Sequence, residues 1–428
     1  MALVNMRDML YHAYQNNYAV GAFDLVSLDF LEAVMETAEK CRAPVILSIA
    51  EPHFAHYDYE LMLPAVEAAA RRASVPVAIQ LDHGHSLESA TRAINLGCNS
   101  IMIDASNRNL PENIQLTRDV VEMAHGCGVP VIGELGYVAG VEGEDAEQHP
   151  GESAFTVPAE AKVYVERTGV DGLAVSIGTV QGRMKGRAKL DFQRLKQLNQ
   201  AVNIPLVIHG GSGLNEDQFR RLTSLGVAKI NYFTALSDIA AKTMRAQIKQ
   251  NPNGSFIELK AGVKEAIGHE VERCLRLWGS AGRAAEVLTQ CEPWAPVEQL
   301  IMYNVERIND QQSYAVMEQG RQLLATIPGV REVFAGEALK EDSKFRFCWR
   351  VRFCHRAVID SYREHPHFTE FNNTLFRPVV GDQISVNYQD NRNTFLLPFA
   401  GSAKTVAATA ALNTLKSPAT SYTKLIGL

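Results

Sequence analysis

Two short segments hold the residues best suited to chemistry, Leu81-Asp82-His83-Gly84 and Ile208-His209-Gly210-Gly211-Ser212-Gly213. Each places a histidine at the end of an apolar, strand-like run. The first adds a carboxylate beside the imidazole. The second adds a glycine/serine turn whose backbone N–H groups suit a phosphate. A carboxylate, two imidazoles and an anion nest at strand ends point to metal-assisted chemistry on a sugar phosphate. Neutral imidazoles suit Zn²⁺ or another divalent cation. Asp104 and Glu134 also end apolar runs. Asp104 fits a group that braces a ligand by hydrogen bonding, and Glu134 fits either a brace or a ligand.

These residues need elements that converge. Up to about residue 285, β-rich runs alternate with helical periods. The strand runs are Ala19–Phe23, Pro44–Ile49, Pro76–Leu81, Ser100–Ile103, Pro130–Gly133, Gly172–Ile177, Pro205–Ile208 and Val227–Ile230. Eight strand-helix units predict an α/β chain folded as a (β/α)8 TIM barrel, whose sites lie at the carboxyl ends of the strands. A doubly wound open sheet is the alternative, but no G-x-G-x-x-G follows the first strand. The domain boundaries expected are a barrel over 1–288, a proline-interrupted linker over 289–297, a smaller α+β domain over 298–390 and a low-complexity tail over 391–428. The βαββαβ order expected in 298–390 is that of a ferredoxin-like domain.

Bulk properties narrow the function classes. At 428 residues the chain is long enough for two domains. A net charge of −6 and a pI near 6.1 imply no basic face, so nucleic acid is not an expected partner. The seven cysteines are scattered, without a C-x-x-C pair, which fits reduced thiols in the cytoplasm. The amino terminus lacks the apolar core of a signal peptide, and no stretch reads as a membrane span.

Residues 1–288 resemble the class II, metal-dependent ketose-bisphosphate aldolases, the fructose- and tagatose-bisphosphate aldolase group. The resemblance rests on Leu81-Asp82-His83-Gly84, Met102-Ile103-Asp104-Ala105-Ser106, Glu134-Leu135-Gly136, Ile177-Gly178-Thr179, Lys189-Leu190-Asp191-Phe192, His209-Gly210-Gly211-Ser212-Gly213-Leu214, Lys229-Ile230-Asn231 and Gly279-Ser280-Ala281-Gly282. It implies a divalent-metal-dependent aldolase that works through a dihydroxyacetone phosphate enediolate. His83 and His209 would be metal ligands, and Asp82 the acid/base at the C4 hydroxyl. Glu142, on a glycine-flanked loop, would exchange the proton at the enediolate carbon. Gly182, Gly210, Gly211 and Ser212, with Asn231 and Thr234, would hold the phosphate, and Lys185 would add charge.

The chain departs from the family pattern at several site positions. Gln181 stands where the family has a third metal histidine. An amide oxygen is a harder ligand than imidazole. Three readings stay open: Gln181 serves as a ligand, the site recruits Glu134, Asp104 or His85, or metal affinity falls. Phe233 replaces a small or acidic residue, Ala50 replaces a hydroxyl residue, and the Asp-Pro-Arg segment that grips a second phosphate is absent. The acceptor aldehyde is therefore open. Alternatives to the aldolase are a non-catalytic sugar-phosphate-binding or assembly subunit, and a related enediolate lyase or epimerase.

Residues 298–390 resemble the stress-responsive α/β-barrel (Dabb) family, on Ile327-Pro328-Gly329-Val330 and Tyr362-Arg363-Glu364-His365-Pro366-His367-Phe368. That resemblance implies a module pairing through its sheet, and so a homo-oligomer, dimer or larger. Members that cyclise polyketides have a second histidine where Phe368 stands.

Overall fold

The computed structural model describes residues 2–140, 145–146, 154–184 and 189–389. Eight parallel strands close a barrel: β1 Val20–Asp24, β2 Val45–Ala50, β3 Val77–Gly84, β4 Ser100–Ile103, β5 Val131–Leu135, β6 Gly172–Val175, β7 Leu206–Ile208 and β8 Val227–Tyr232. The hydrogen-bonded order around the ring is β1-β8-β7-β6-β5-β4-β3-β2. Pro44, Pro76, Pro130 and Pro205 each sit just ahead of a strand, where a missing N–H costs no ladder bond. Two boundaries differ usefully from expectation. The third strand continues through Asp82 and His83 to Gly84, and the last runs past Asn231 to Tyr232. These residues thus lie within strands, where neighbouring strands fix them.

Side chains alternate along a strand, so every second residue faces the barrel interior. Ala22, Ile46, Ala78, Met102, Ile132, Ala174, Val207 and Ala228 form one buried interior cluster. Helix α1 (Met6–Gln15) closes it from below with Met6, Met9, Leu10 and Ala13. Two positions further along come Asp24, Ser48, Gln80, Asp104, Glu134, Ser176 and His209. On seven of the eight strands the interior therefore changes from an apolar floor to a polar mouth by strand periodicity, while on β8 a register shift between Val227 and Lys229 brings Lys229 and Asn231 inward. Helices on the outside shield the other faces, among them α2 (Leu28–Cys41), α3 (Tyr59–Arg72), α4 (Leu87–Leu96) and α5 (Leu110–Gly126).

The later part forms a four-stranded antiparallel sheet. Strands β9 (Val297–Val305), β10 (Val330–Glu337), β11 (Phe347–Phe353) and β12 (Val380–Gln389) have the order β10-β11-β9-β12. A helix over Asp310–Leu324 follows β9, and one over Val358–Glu364 follows β11. The second helix ends before Pro366 with His365 extended (ψ 136°), because proline disfavours the α conformation in the residue before it. The segment expected as a linker is tied down. A helix runs to Gln290, β9 starts at Val297, and between them Trp294 N–H donates to the Leu3 carbonyl at 2.9 Å. Trp294 also stacks on His355 at 4.4 Å.

Barrel and sheet form one compact unit up to Asp390. Arg331 of β10 forms an ion pair with Glu67 of α3 at 2.7 Å and donates to the Asn95 and Leu96 carbonyls. The tail expectation for 391–428 lies outside the described residues. Among the described residues no helix is long and apolar enough to cross a membrane.

Candidate active site

Asp82 and His83 are consecutive, so a regular strand would point them to opposite faces. A β-bulge resolves this. Leu81 pairs with Ile101 and Gly84 with Ile103, so β3 carries one residue more than β4 over this stretch. His83 takes a left-handed backbone (φ 49°), unusual for a residue with a Cβ. The outcome is that His83 Nε2 lies 3.9 Å from Asp82 Oδ2, and both side chains are buried.

His209 follows β7 and is fully buried, its ring centroid 4.5 Å from that of His83. Its Nε2 is 3.9 Å from Glu134 Oε2. Ligand atoms of Asp82, His83 and His209 lie within 4.8 Å of one another, as do those of His83, Asp104 and Glu134. Among the described residues, four buried polar atoms here have no hydrogen-bond partner: Asp82 Oδ1, Glu134 Oε2 and both ring nitrogens of His209. Unpaired polar atoms cost free energy unless something satisfies them. Two carboxylate oxygens and an imidazole suit a divalent cation, so the donor set fits the metal that the family implies.

Neighbouring charges tune the cluster. Burial opposes charge on His83, but Asp82, Asp104 and Glu134 outweigh it and hold the imidazole up to about 10. Without a cation, a proton on His83 would thus supply the compensating charge. Burial, and then His83 beside it, push His209 down to about 3, so this ring is neutral with a free lone pair. Burial, reinforced by Asp104, raises Glu134 well above the usual carboxylate range. Burial also opposes charge on Asp82, but the charges of His83 and Lys229 and a hydrogen bond from Asn231 hold its pKa below the usual carboxylate value.

Asp104 accepts a hydrogen bond from His83 Nδ1 at 2.9 Å and is itself held by Ser106 N–H and Oγ. The Gln181 amide nitrogen is 3.2 Å from His83 Nε2. Amide nitrogen and oxygen exchange by a half-turn, so in either orientation Gln181 reaches the His83 atom that would bind a metal. Its placement follows from packing: Gln181 N–H donates to the Ala139 carbonyl, and the turn at Gly210 presses against Val180.

Asn231, which the resemblance assigns to the phosphate, also meets the acid/base candidate. In the structure its amide donates to Asp82 Oδ2 at 2.7 Å and accepts from Lys229 Nζ. Strand position explains this, because Asn231 faces the mouth from β8. Ser212 Oγ accepts from Ala235 N–H at 3.1 Å, which joins the glycine turn to the start of the helix Thr234–Gln250. Gly210, Gly211, Ser212 and Thr234 thus lie at this turn and helix N-terminus, and Gly182 follows Gln181 in the chain. Glu142 and Lys185 lie outside the described residues.

Sequence reasoning gave no role to Lys229 or His53. Lys229 is fully buried, 4.0 Å from Asp82 Oδ1. A lysine two positions before Asn231 in an apolar strand was the available signal, since both face the interior. His53 is buried in a short turn after β2, and its ring lies 4.5 Å from that of Phe233.

Comparison with known proteins fits this geometry. The family model for fructose-bisphosphate aldolase class-II matches residues 4–283. Fructose-bisphosphate aldolase of Geobacillus stearothermophilus is 38% identical over 291 residues, 67% of this chain and 100% of the relative. A probable fructose-bisphosphate aldolase of Bacillus subtilis (strain 168) is 38% identical over 288 residues, 66% of this chain and 100% of the relative. The crystal structure of the YdjI aldolase from Escherichia coli K12 superposes with a TM-score of 0.59 at 33% identity, over 66% of this chain and 99% of that one. With 38% identity along the full length of its relatives and a family match over the whole barrel, the chain belongs to the class II fructose-bisphosphate aldolase family and is an aldolase, a carbon–carbon lyase.

Proposed function

We propose that this aldolase depends on a divalent metal, Zn²⁺ as the first candidate, and makes or cleaves a ketose phosphate through the enediolate of dihydroxyacetone phosphate. The observation that carries the reading is the buried set of unsatisfied donors on Asp82, His209 and Glu134 around His83. His83 and His209 would hold the cation, with Gln181 and Glu134 close enough to complete its shell. When bound, the cation would supply Lewis-acid stabilisation of the charge that C–C cleavage leaves on the ketose fragment.

The protein's own groups do the rest. Asp82, kept ionised by Lys229 and oriented by Asn231, takes the C4 hydroxyl proton on cleavage and returns it on synthesis. Asp104 fixes the His83 ring. The Gly210–Ser212 turn and the start of the helix Thr234–Gln250 offer N–H groups to the donor phosphate, and Gly182 and Lys185 extend that reading. Glu142 is proposed as the base at the enediolate carbon, from its place in the sequence.

The β10-β11-β9-β12 order and the two helix crossovers support a ferredoxin-like, Dabb-type reading of residues 298–390. The outer sheet face shows Phe334, Ile384, Val386 and Tyr388, all exposed, flanked by Arg350 and Arg352. Such a face supports pairing into a homo-oligomer. All seven cysteines are free, which supports a reducing compartment such as the cytoplasm.

The test is deuterium exchange from solvent into dihydroxyacetone phosphate, followed by NMR with and without a chelator. Exchange that the chelator abolishes is the expected result. Absence of exchange with Zn²⁺ added would remove the dihydroxyacetone phosphate reading.

A further inference from the structure

His53 has no role in the scheme above, yet its surroundings are those of a working group. It lies in the turn Glu51–Ala55, which follows β2 directly. The last residue of β2, Ala50, is in register with Asp82 on β3. Phe233 follows the last residue of β8, two positions after Asn231. Strand β1 lies between β2 and β8. The His53 and Phe233 rings therefore meet across the carboxyl end of β1, 4.5 Å apart and tilted by 48°. Phe30 backs Phe233 at 6.2 Å.

His53 is buried, at 7% exposure, and its Nδ1 has no hydrogen-bond partner among the described residues. Burial lowers its pKa below the usual value, and the nearby Asp82 carboxylate offsets only part of this. A neutral ring with an unsatisfied nitrogen is thus clamped by Phe233 at the carboxyl end of the barrel, within electrostatic reach of the proposed acid/base. Packing on one side by a phenyl ring makes the place poor for a phosphate, whose oxygens call for charged donors. It suits a neutral hydroxyl, which can both donate to and accept from an imidazole.

We propose that His53, held by Phe233, is a specificity-determining residue whose Nδ1 hydrogen-bonds a hydroxyl on the carbon chain of the aldehyde, so that the site takes an uncharged hydroxyaldehyde. The inference rests on the proposed roles of Asp82 and dihydroxyacetone phosphate. A buried nitrogen built to meet a hydroxyl discriminates against analogues that lack it, because the nitrogen is then left unpaired.

The experiment compares aldehydes within one enzyme preparation. With the zinc-loaded full chain and dihydroxyacetone phosphate as donor, kcat/KM is measured for glyceraldehyde, for 3-hydroxypropanal, which lacks the C2 hydroxyl, and for lactaldehyde, which lacks the C3 hydroxyl. The wild type is expected to prefer glyceraldehyde over one of the two by about tenfold or more. His53→Phe should bring that ratio to about one, chiefly by raising KM for glyceraldehyde. His53→Gln, which keeps a polar group, should retain part of the preference and serves if the phenylalanine variant does not fold. Because each ratio is internal to a preparation, partial loss of folded or metal-loaded enzyme cancels. Wild-type ratios near one, or ratios that persist in both variants, overturn the proposal while deuterium exchange into dihydroxyacetone phosphate still occurs. Absence of that exchange in the wild type overturns the parent reading and this inference together.

Discussion

At the residue scale the proposed chemistry turns on Gln181 and Asp82. A Gln181 side chain that reaches His83 Nε2 is within range of any cation held there. Imidazole binds Zn²⁺ more strongly than an amide oxygen does. Gln181→His should therefore tighten zinc by roughly tenfold or more, read by competition with a chromogenic chelator; unchanged affinity removes Gln181 from the metal shell. For Asp82→Asn the geometry predicts loss of C–C cleavage by roughly 10²–10⁴-fold, the usual contribution of a general acid/base. Bound zinc, measured by elemental analysis, should remain, since the imidazoles are intact. Loss of both would make Asp82 a ligand instead. The residues that carry this chemistry were legible because their types are costly to bury without a use. Lys229 escaped notice since its role depends on a partner from another strand, and His53 because nothing in its local sequence signals burial.

At the scale of the element, the turn after β7 is the most exacting piece of backbone. Gly210 has φ 70°, and a Cβ there would collide with the Val180 carbonyl oxygen. The left-handed backbone and the collision together predict that Gly210→Ala costs roughly 2–4 kcal/mol. Because the turn both carries the N–H groups proposed to hold the phosphate and seats the Gln181 segment, KM for dihydroxyacetone phosphate should rise as well. A variant with wild-type melting temperature and KM would contradict this. The strands themselves were readable as apolar runs behind prolines. The bulge in β3 was not, because it arises from pairing with β4, and pairing is invisible in one strand's sequence.

Across the whole molecule, docking of the sheet on the barrel rests partly on one ion pair. Burial alone would raise Glu67, but hydrogen bonds and charge from Arg331, with Arg71 behind it, hold it down to about 2. Its folded pKa lies below its unfolded value of 4.5, so the stabilisation is complete above about pH 4.5 and is lost as pH falls toward 2. The shift corresponds to about 3 kcal/mol. Urea unfolding should show Glu67→Gln less stable than wild type at pH 6, with the gap closing near pH 2–3. A gap independent of pH would mean that the carboxylate's charge contributes nothing. The exposed sheet face makes a separate prediction. Val386→Lys should lower the mass seen in sedimentation equilibrium, and a monomeric wild type would rule out pairing through that face.

Residue types, prolines and period-two alternation were enough to determine an eight-stranded barrel with a polar mouth and to nominate Asp82, His83, Asp104, Glu134 and His209 for it, and the family resemblance added Gln181. These are properties of single segments, and one chain records them directly. Tertiary structure decided what depends on two segments meeting. It put adjacent Asp82 and His83 on one face through a mismatch in strand length. It turned Asn231 onto Asp82, paired His53 with Phe233 across β1, and tied Arg331 to Glu67 over 264 positions of chain. The physical reason is the same in each case: a side chain's direction and partner are set by the neighbour that packs against it, and that neighbour lies elsewhere in the sequence.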